Sequence, residues 1–569
     1  VLLLDDPPKP SDPDDAARLA AARRVPAEIT ELLRGPAIRV ERAARQFLAA
    51  TAQGRFVARE ELWRLLDVYT DLVNWADQRV AEASGIDHTD ELFVNVTFRD
   101  HAALLRESAR RLVRCLPTGG LSAGDLSTEY RRLSTLFRVE VTSFERKRYH
   151  NLSHEPNKAM NLNSYIGLLG KAVEEVWRGD QLHLEVREQD RRGRAKGIPD
   201  ANYILTLDAD SLIMPDYALR MVDVMEQPGN ERLAVVQTPY TAIPDQPKVL
   251  ERIAGATTDM QYIVHQGFSW VGATFWVGAN ALLRKTALDD IRTESFDKIS
   301  APKFIQDRTV IEDTESTVDL VARGWWLLNY SERLAYSATP PDFGALLVQR
   351  HRWANGGLLI VPKLLRYALV GPFHARKPAE ILMRFHYLVS IAAGSIGFLV
   401  LVLVPLDQDV HSVWLPVTAV PYFLLYWRDL VQAGYRTGDI LRVYAFNVML
   451  MPINLAGAAK SIQQSITGRK TPFGRTPKVE GRTSAPAWAV IAEWLLLAYS
   501  LFALVWDSIA GRWLHALFSL ATVVTLAYVL VVFIGLRASR DDVLASLRRS
   551  PLRKPTRWFG SSRSTSASG

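Results

Sequence analysis

Cysteine is almost missing: the 569-residue chain has one, Cys115. A single thiol permits no internal disulfide, which excludes a disulfide-stapled secreted scaffold and fits a catalytic part on the cytosolic side, with Cys115 read as a small core residue. A strong charge of one sign is lacking too, since 68 basic and 61 acidic residues leave only +7. The excess lies beside the apolar segments and in the tail, not on a basic stripe interleaved with aromatics. That placement points to anionic lipid headgroups and excludes nucleic acid as a partner. No signal segment or turn precedes Val1-Leu2-Leu3-Leu4, which reads as a buried strand, so the chain is expected to begin inside a domain.

Apolar residues are plentiful, at 48% of the chain with 9% aromatic, enough for a soluble core and membrane spans together. Four stretches of the last third, about 386–404, 413–427, 487–506 and 513–536, have the length and apolarity of spanning helices. The link 406–411 has no Lys or Arg. Lys460, Arg469, Lys470, Arg475, Lys478 and Arg482 crowd a later link, and Arg537, Arg548, Arg549, Arg553 and Lys554 fill the tail, so the basic sides are assigned to the cytoplasm. A fifth apolar segment, about 440–462, has cations at both ends and Asn447, Pro452, Asn454 and Lys460 inside. It is read as an interfacial helix lying along the membrane, with a broken or re-entrant span as the alternative. The expected division is a catalytic domain over 1–375, a membrane domain over 376–536 and a basic, unstructured tail over 537–569.

The amino-terminal part reads as an interrupted α/β domain. From about 14 to 136 the pattern is charged, rich in Ala, Leu and Arg, and helically spaced, as in Glu60-Glu61-Leu62-Trp63-Arg64-Leu65-Leu66, which marks a helical insertion. Strand-like runs follow at 137–144, 203–207 and 233–237 with helices between them, implying a Rossmann-like, mostly parallel sheet.

Three polar motifs follow in order. Asp208-Ala209-Asp210 closes an apolar run, where an α/β sheet presents its ligand-binding edge. Two carboxylates so spaced can share Mg²⁺ or Mn²⁺ with substrate phosphates, because such ions prefer oxygen ligands and borrow some from the substrate. Asp210 is the better single candidate for that metal; taken alone, the pair is a solvated acidic turn. Glu312-Asp313 precedes a helical pattern, and Asp313 is the candidate general base, since an acceptor hydroxyl needs a carboxylate within reach to take its proton. Taken alone, it is an ordinary helix-capping acid. Gln349, Arg352 and Trp353 share one face of a helix that runs toward the membrane. They supply an amide for sugar hydroxyls, a cation for a pyrophosphate leaving group and an aromatic platform for a sugar ring. Their plain alternative is a juxtamembrane anchor.

At these residues the chain resembles the processive family 2 glycosyltransferases, most closely the cellulose synthase group. The family pattern D, D, D, Q-x-x-R-W is matched by Asp5 or Asp6, Asp208 with Asp210, Asp313, and Gln349 with Arg352 and Trp353. Lys158-Ala159-Met160-Asn161-Leu162 resembles a K-A-G-N-L segment whose lysine supports the nucleotide. Phe275-Trp276-Val277-Gly278 resembles the acceptor-lining F-F-C-G segment, and Phe473-Gly474-Arg475-Thr476-Pro477-Lys478 resembles a gating loop whose Thr476 and Lys478 would meet the nucleotide. The resemblance implies a GT-A-type catalytic domain, followed by an α-helical transmembrane region, in a plasma (inner) membrane with its catalytic side cytoplasmic. It implies a UDP-sugar donor, first UDP-glucose, held by Asp5, Asp6, Lys158, Asp208 and Arg352. It further implies a β-linked polysaccharide acceptor at Phe275, Gly278, Gln349 and Trp353, an accessory protein for export, and a divalent metal. The alternatives are a non-processive lipid glycosyltransferase and an inactive membrane scaffold or transport protein.

Overall fold

The chain forms two compact units, Val1–Asp200 and the elements from Ala201 onward. The structure is a computed structural model and describes residues 1–8, 10, 12–83, 87–117, 121–187, 195–239, 241–278, 280–294, 302–403, 414–468 and 481–548.

In the first unit, β1 (Leu2–Leu4) leaves directly into a helical array: α1 (Pro13–Ala52), α2 (Ala58–Glu82), α3 (His88–Val94), α4 (Asp100–Cys115) and α5 (Ala123–Leu136). The side chains of Asp12, Asp87 and Ser122 cap α1, α3 and α5, satisfying amides that the first turn leaves open. The stripe Leu62, Leu65, Leu66, Tyr69, Leu72 and Val73 on α2 buries against Val40, Phe47, Leu105, Leu112, Leu126 and Leu133. The array therefore has a core of its own. The chain then returns as β2 (Ser143–Glu145), parallel to β1 with Leu3 opposite Phe144. The strand expected over 137–144 is thus confined to its far end, because Phe137 closes α5. α6 (Lys158–Ile166) and the strands β3 (Ala172–Arg178), β4 (Gln181–Arg187) and β5 (Lys196–Gly197) complete the unit, with β3 antiparallel to both neighbours.

The second unit opens with β6 (Tyr203–Thr206), β7 (Ser211–Ile213), α7 (Tyr217–Glu226), β8 (Leu233–Gln237), β9 (Thr241–Ala242) and α8 (Val249–Phe268). It continues through β10 (Ala281–Arg284), α9 (Lys285–Asp290), α10 (Glu312–Ala322), β11 (Trp326–Asn329) and β12 (Ala335–Ser337). The main sheet has the order β11-β8-β10-β6. β11 runs parallel to β8, and β10 lies antiparallel between β8 and β6, so three strands point one way and β10 the other. The expected parallel strands are present, with one reversed strand among them. Every residue of β8 is buried, as the unbroken apolar run of a strand covered on both faces requires.

The helices that follow are α11 (Phe343–Val370), α12 (Lys377–Leu403), α13 (Trp414–Gln432), α14 (Asp439–Thr467), α15 (Ala487–Ile509) and α16 (Trp513–Tyr528). A π-helical turn, Val529–Ile534, extends α16, and α17 (Leu536–Arg548) ends the described chain. Among the described residues four helices are long and apolar enough to cross a membrane: α12, α14, α15 and α16 with its extension. Three coincide with expected spans. α13 is not among the four, and α14, expected to lie along the membrane, is. Yet half of the apolar window of α14 is buried inside the protein. Its Val443, Phe446, Met449, Leu450 and Ile453 share one core with Ile253, Met260, Phe343 and Leu346 of α8 and α11. The segment 537–548, expected to be unstructured, is instead the helix α17: its Asp542 is buried and receives two hydrogen bonds from Arg482 and one from the Ala485 amide, at 3.1 Å.

Candidate active site

Strand register builds one edge of the second unit's sheet into a site. Ala281 of β10 stands opposite Thr206 at the end of β6 and Gln237 at the end of β8, and the Asn280 amide donates to the Thr206 carbonyl at 2.8 Å. Asp208 and Asp210, just past β6, and Gly278, just before β10, therefore come to the same edge. Both aspartates are half-buried. Ser337 of β12, paired with Ser211 of β7, donates its hydroxyl to Asp210 Oδ2 at 3.1 Å.

A divalent ion suits this donor set only in part. Among the described residues no group of three or more His, Cys, Asp or Glu side chains could hold a metal. Two carboxylates with a hydroxyl beside them fit a hard cation that draws its remaining oxygens from a diphosphate.

Asp313 sits in the first turn of α10. Its Oδ1 accepts from the Thr314 amide at 2.6 Å, and its Oδ2 lies where a β-carbon on Gly278 would meet it at 3.1 Å. Gly278 has φ +96, a backbone that favours glycine, so one residue supplies both the turn and the clearance for the carboxylate. The loop 272–278 is fixed along its length. Phe275 donates its amide to His265 Nε2 at 2.9 Å, and its carbonyl accepts from Gln237 Nε2 at 2.6 Å. The other end of the same Gln237 amide accepts from the Val277 amide at 3.0 Å. The Trp276 amide donates to Thr317 Oγ1 at 3.0 Å, and its indole to the Gly278 carbonyl at 2.6 Å. The Phe275 ring is fully buried, stacked on Tyr387 at 4.8 Å, so it belongs to the packing beneath the loop and not to an open surface.

α11 brings the third motif to the same place. Gly356 packs directly on Ile311, two residues before Asp313, and Arg352 stands one turn ahead of Gly356. Gln349 is buried, while Arg352 and Trp353 are half-buried. Arg350 places its guanidinium over the Trp353 ring at 4.6 Å and donates to Thr257 Oγ1 at 3.1 Å, so one face of the indole is already taken. Burial draws Arg350 down to about 10, and it remains cationic at neutral pH.

The remaining expected residues belong to the first unit or fall outside the description. Asp5 and Asp6 follow β1 and Lys158 opens α6, all in the first unit. Asp5 is engaged there: its Oδ1 pairs with the fully buried Arg146 at 2.5 Å and with Lys147 at 3.4 Å. Thr476 and Lys478 lie outside the described residues. Ser337, His265, Asn329, which accepts from Gln237 Nε2 at 2.7 Å and donates to the His265 carbonyl at 2.9 Å, and Arg384, which donates to the Gly272 and Thr274 carbonyls, support the site without any sequence motif marking them. Three of these make their contacts across register that no local pattern reveals; Arg384, an arginine at the head of an apolar run, was the one available signal.

Residues 203–430 match the family described as Glycosyl transferase family group 2, the stretch that holds this sheet edge, Asp313 and the α11 motif. Over those residues the chain is similar to family 2 glycosyltransferases, and the curated relatives that it matches are named as glucomannan mannosyltransferases and a cellulose synthase. Among its relatives, the rice (Oryza sativa subsp. japonica) protein named "Probable glucomannan 4-beta-mannosyltransferase 7" is 25% identical over 229 residues, 39% of this chain and 36% of that one. A UDP-forming cellulose synthase catalytic protein of Dictyostelium discoideum is 29% identical over 161 residues, 28% of this chain and 14% of that one. The chain thus spans roughly a third of the first relative's length and less of the second's. Among solved structures, the mannosyltransferase PcManGT from Pyrobaculum calidifontis in complex with GDP-Man and Mn²⁺ overlaps at a TM-score of 0.32 and 13% identity, covering 59% of this chain and 74% of that one.

Proposed function

We propose that the chain is a membrane-bound processive glycosyltransferase that extends a β-linked polysaccharide from a nucleoside-diphosphate sugar, with inversion at the anomeric carbon. The observation that carries this reading is the seat of Asp313 over Gly278, on the sheet edge that also holds Asp208 and Asp210. Asp313 takes the proton of the acceptor hydroxyl as that oxygen bonds to the anomeric carbon and the bond to the diphosphate breaks. One displacement converts an α-linked donor into a β-linkage. Gln349 and Trp353 orient the acceptor's terminal sugar, and Arg352 holds the departing diphosphate. Asp208 and Asp210 would hold Mg²⁺ or Mn²⁺, which when bound offsets the diphosphate's charge.

The apolar helices fit a path along which the product leaves the cytoplasmic catalytic side, at the plasma membrane. UDP-glucose is the first donor by family resemblance; the naming of the rice relative makes a mannose donor the natural comparison. Sealed membranes carrying the chain, given radiolabelled UDP-glucose and GDP-mannose in parallel, should incorporate label into polymer from one of them. Asp313→Asn should cut incorporation by about 100- to 10,000-fold. Undiminished incorporation by that variant would sink the assignment, and a product longer by one sugar only would refute processivity.

A further inference from the structure

The first spanning helix, α12, is strongly apolar and yet buries an arginine completely. Arg384 is 0% exposed. Its Nε donates to Glu380 Oε1 at 2.7 Å, one turn back on the same helix. Its two remaining nitrogens reach off the helix to the loop before β10: Nη1 donates to the Thr274 carbonyl at 3.0 Å and Nη2 to the Gly272 carbonyl at 2.7 Å. The guanidinium carbon also lies 5.0 Å from the centre of the Phe275 ring, the ring that Tyr387 of α12 stacks on. A buried cation inside an apolar helix is retained at a cost, so its four partners mark a site where position matters.

Those partners lead to the chemistry. Phe275 is gripped by α12 through its ring and by His265 and Gln237 through its peptide. The next residue, Trp276, bonds Thr317 of α10 and the Gly278 carbonyl, and Gly278 is the seat of Asp313. From Arg384 to Asp313 the contacts run unbroken along seven residues of loop. We propose that Arg384 is a positioning residue: through it the first membrane helix sets where the loop 272–278 stands, and so where an acceptor sugar meets Asp313. The inference rests on the transferase reading above. A guanidinium is suited to the task because its planar fork can serve two carbonyls and a carboxylate at once; an ammonium on a flexible stem keeps the charge but cannot hold all three in fixed directions.

Arg384→Lys in the full chain, reconstituted in lipid nanodiscs, separates positioning from mere folding. Hydrogen exchange of the 272–278 amides should accelerate by about tenfold or more while peptides of α12 keep their protection. With UDP-glucose and GDP-mannose as probes, transfer to polymer should fall by about 30- to 100-fold, the scale of a displacement near 1 Å. Donor KM and the slow release of diphosphate to water should stay within about twofold, because the donor edge is untouched. Unchanged loop exchange, or transfer and water-directed release falling together, would overturn the proposal. A loop that loosens in a protein whose wild type transfers no sugar would uphold the strap and refute the transferase reading instead. If Arg384→Lys does not accumulate, Glu380→Gln leaves the arginine in place with a weaker guide, and the same split should appear at about 3- to 10-fold.

Discussion

At His265 the loop sets a protonation state. Phe275 donates its amide to Nε2, so that nitrogen must carry a lone pair, and burial holds the imidazole's pKa down to about 3. In the unfolded chain the same ring titrates near its ordinary 6.5. As pH falls through that value the unfolded chain takes up a proton that the folded chain refuses until about 3, so stability is lost with acidity, at about 1.4 kcal/mol per pH unit across the window. Thermal melting of the wild type between pH 7.5 and 4.5 should therefore drop more steeply than that of His265→Gln, which has no proton to refuse. Parallel slopes would dismiss the effect. This residue shows where the sequence stops being legible. Asp208, Asp210, Asp313 and the Gln349–Arg352–Trp353 face could be picked out because their spacing is local and their chemistry specific. His265, Gln237, Asn329 and Ser337 acquire roles only through strand register and helix packing. Asp5 shows the converse: a plausible motif residue whose carboxylate is occupied by a buried arginine 141 positions away.

Between elements, glycine decides how closely helices approach. α14 crosses α11 at Gly457, where a β-carbon would lie 2.7 Å from Ala354 Cβ and 2.9 Å from the His351 carbonyl. A backbone carbonyl cannot rotate away, so the clash outweighs the gain in helix propensity, which is only about 1 kcal/mol for Gly to Ala. Gly457→Ala should lower stability by about 1–3 kcal/mol. Gly394→Ala on α12 has nothing within 4 Å and should raise it, by up to about 1 kcal/mol. Melting of both variants in detergent checks the pair; equal shifts would mean the crossing is looser than drawn. Helices were the more legible elements, since the α2 stripe and the apolar runs announce themselves by period. β10, β11 and β12 were missed because short strands of 4, 4 and 3 residues carry too little alternation to stand out. The tail helix α17 was missed because its charge hides an anchor, Asp542, whose partner Arg482 lies 60 residues back.

For the whole molecule the open quantity is how many times the chain crosses the bilayer, and α14 decides it. By length and apolarity it could cross, since its 29 residues rise about 44 Å against a hydrocarbon core of about 30 Å. Its packing argues otherwise: half of its apolar window is covered by protein, much of it α8 and α11, which carry catalytic-domain side chains. Cations flank it on both sides, with Arg428, Arg436 and Arg442 toward one end and Lys460 and Arg482 toward the other. A single crossing would put one of these basic groups outside, against the positive-inside bias. The single native cysteine makes the test direct. On a Cys115→Ser background, Thr437→Cys and Thr467→Cys place exposed thiols at the two ends of α14, and Ala510→Cys places one at the turn between α15 and α16. With α13, 19 residues long though less apolar than the four, returning the chain after α12, an impermeant maleimide applied to sealed right-side-out vesicles should spare both 437 and 467 and label 510. Opposite labelling of 437 and 467 would make α14 a spanning helix, with 510 labelled if α13 does not cross and spared if it does. Protection of both fixes it on the cytoplasmic face, beside the α11 helix that carries Gln349, Arg352 and Trp353.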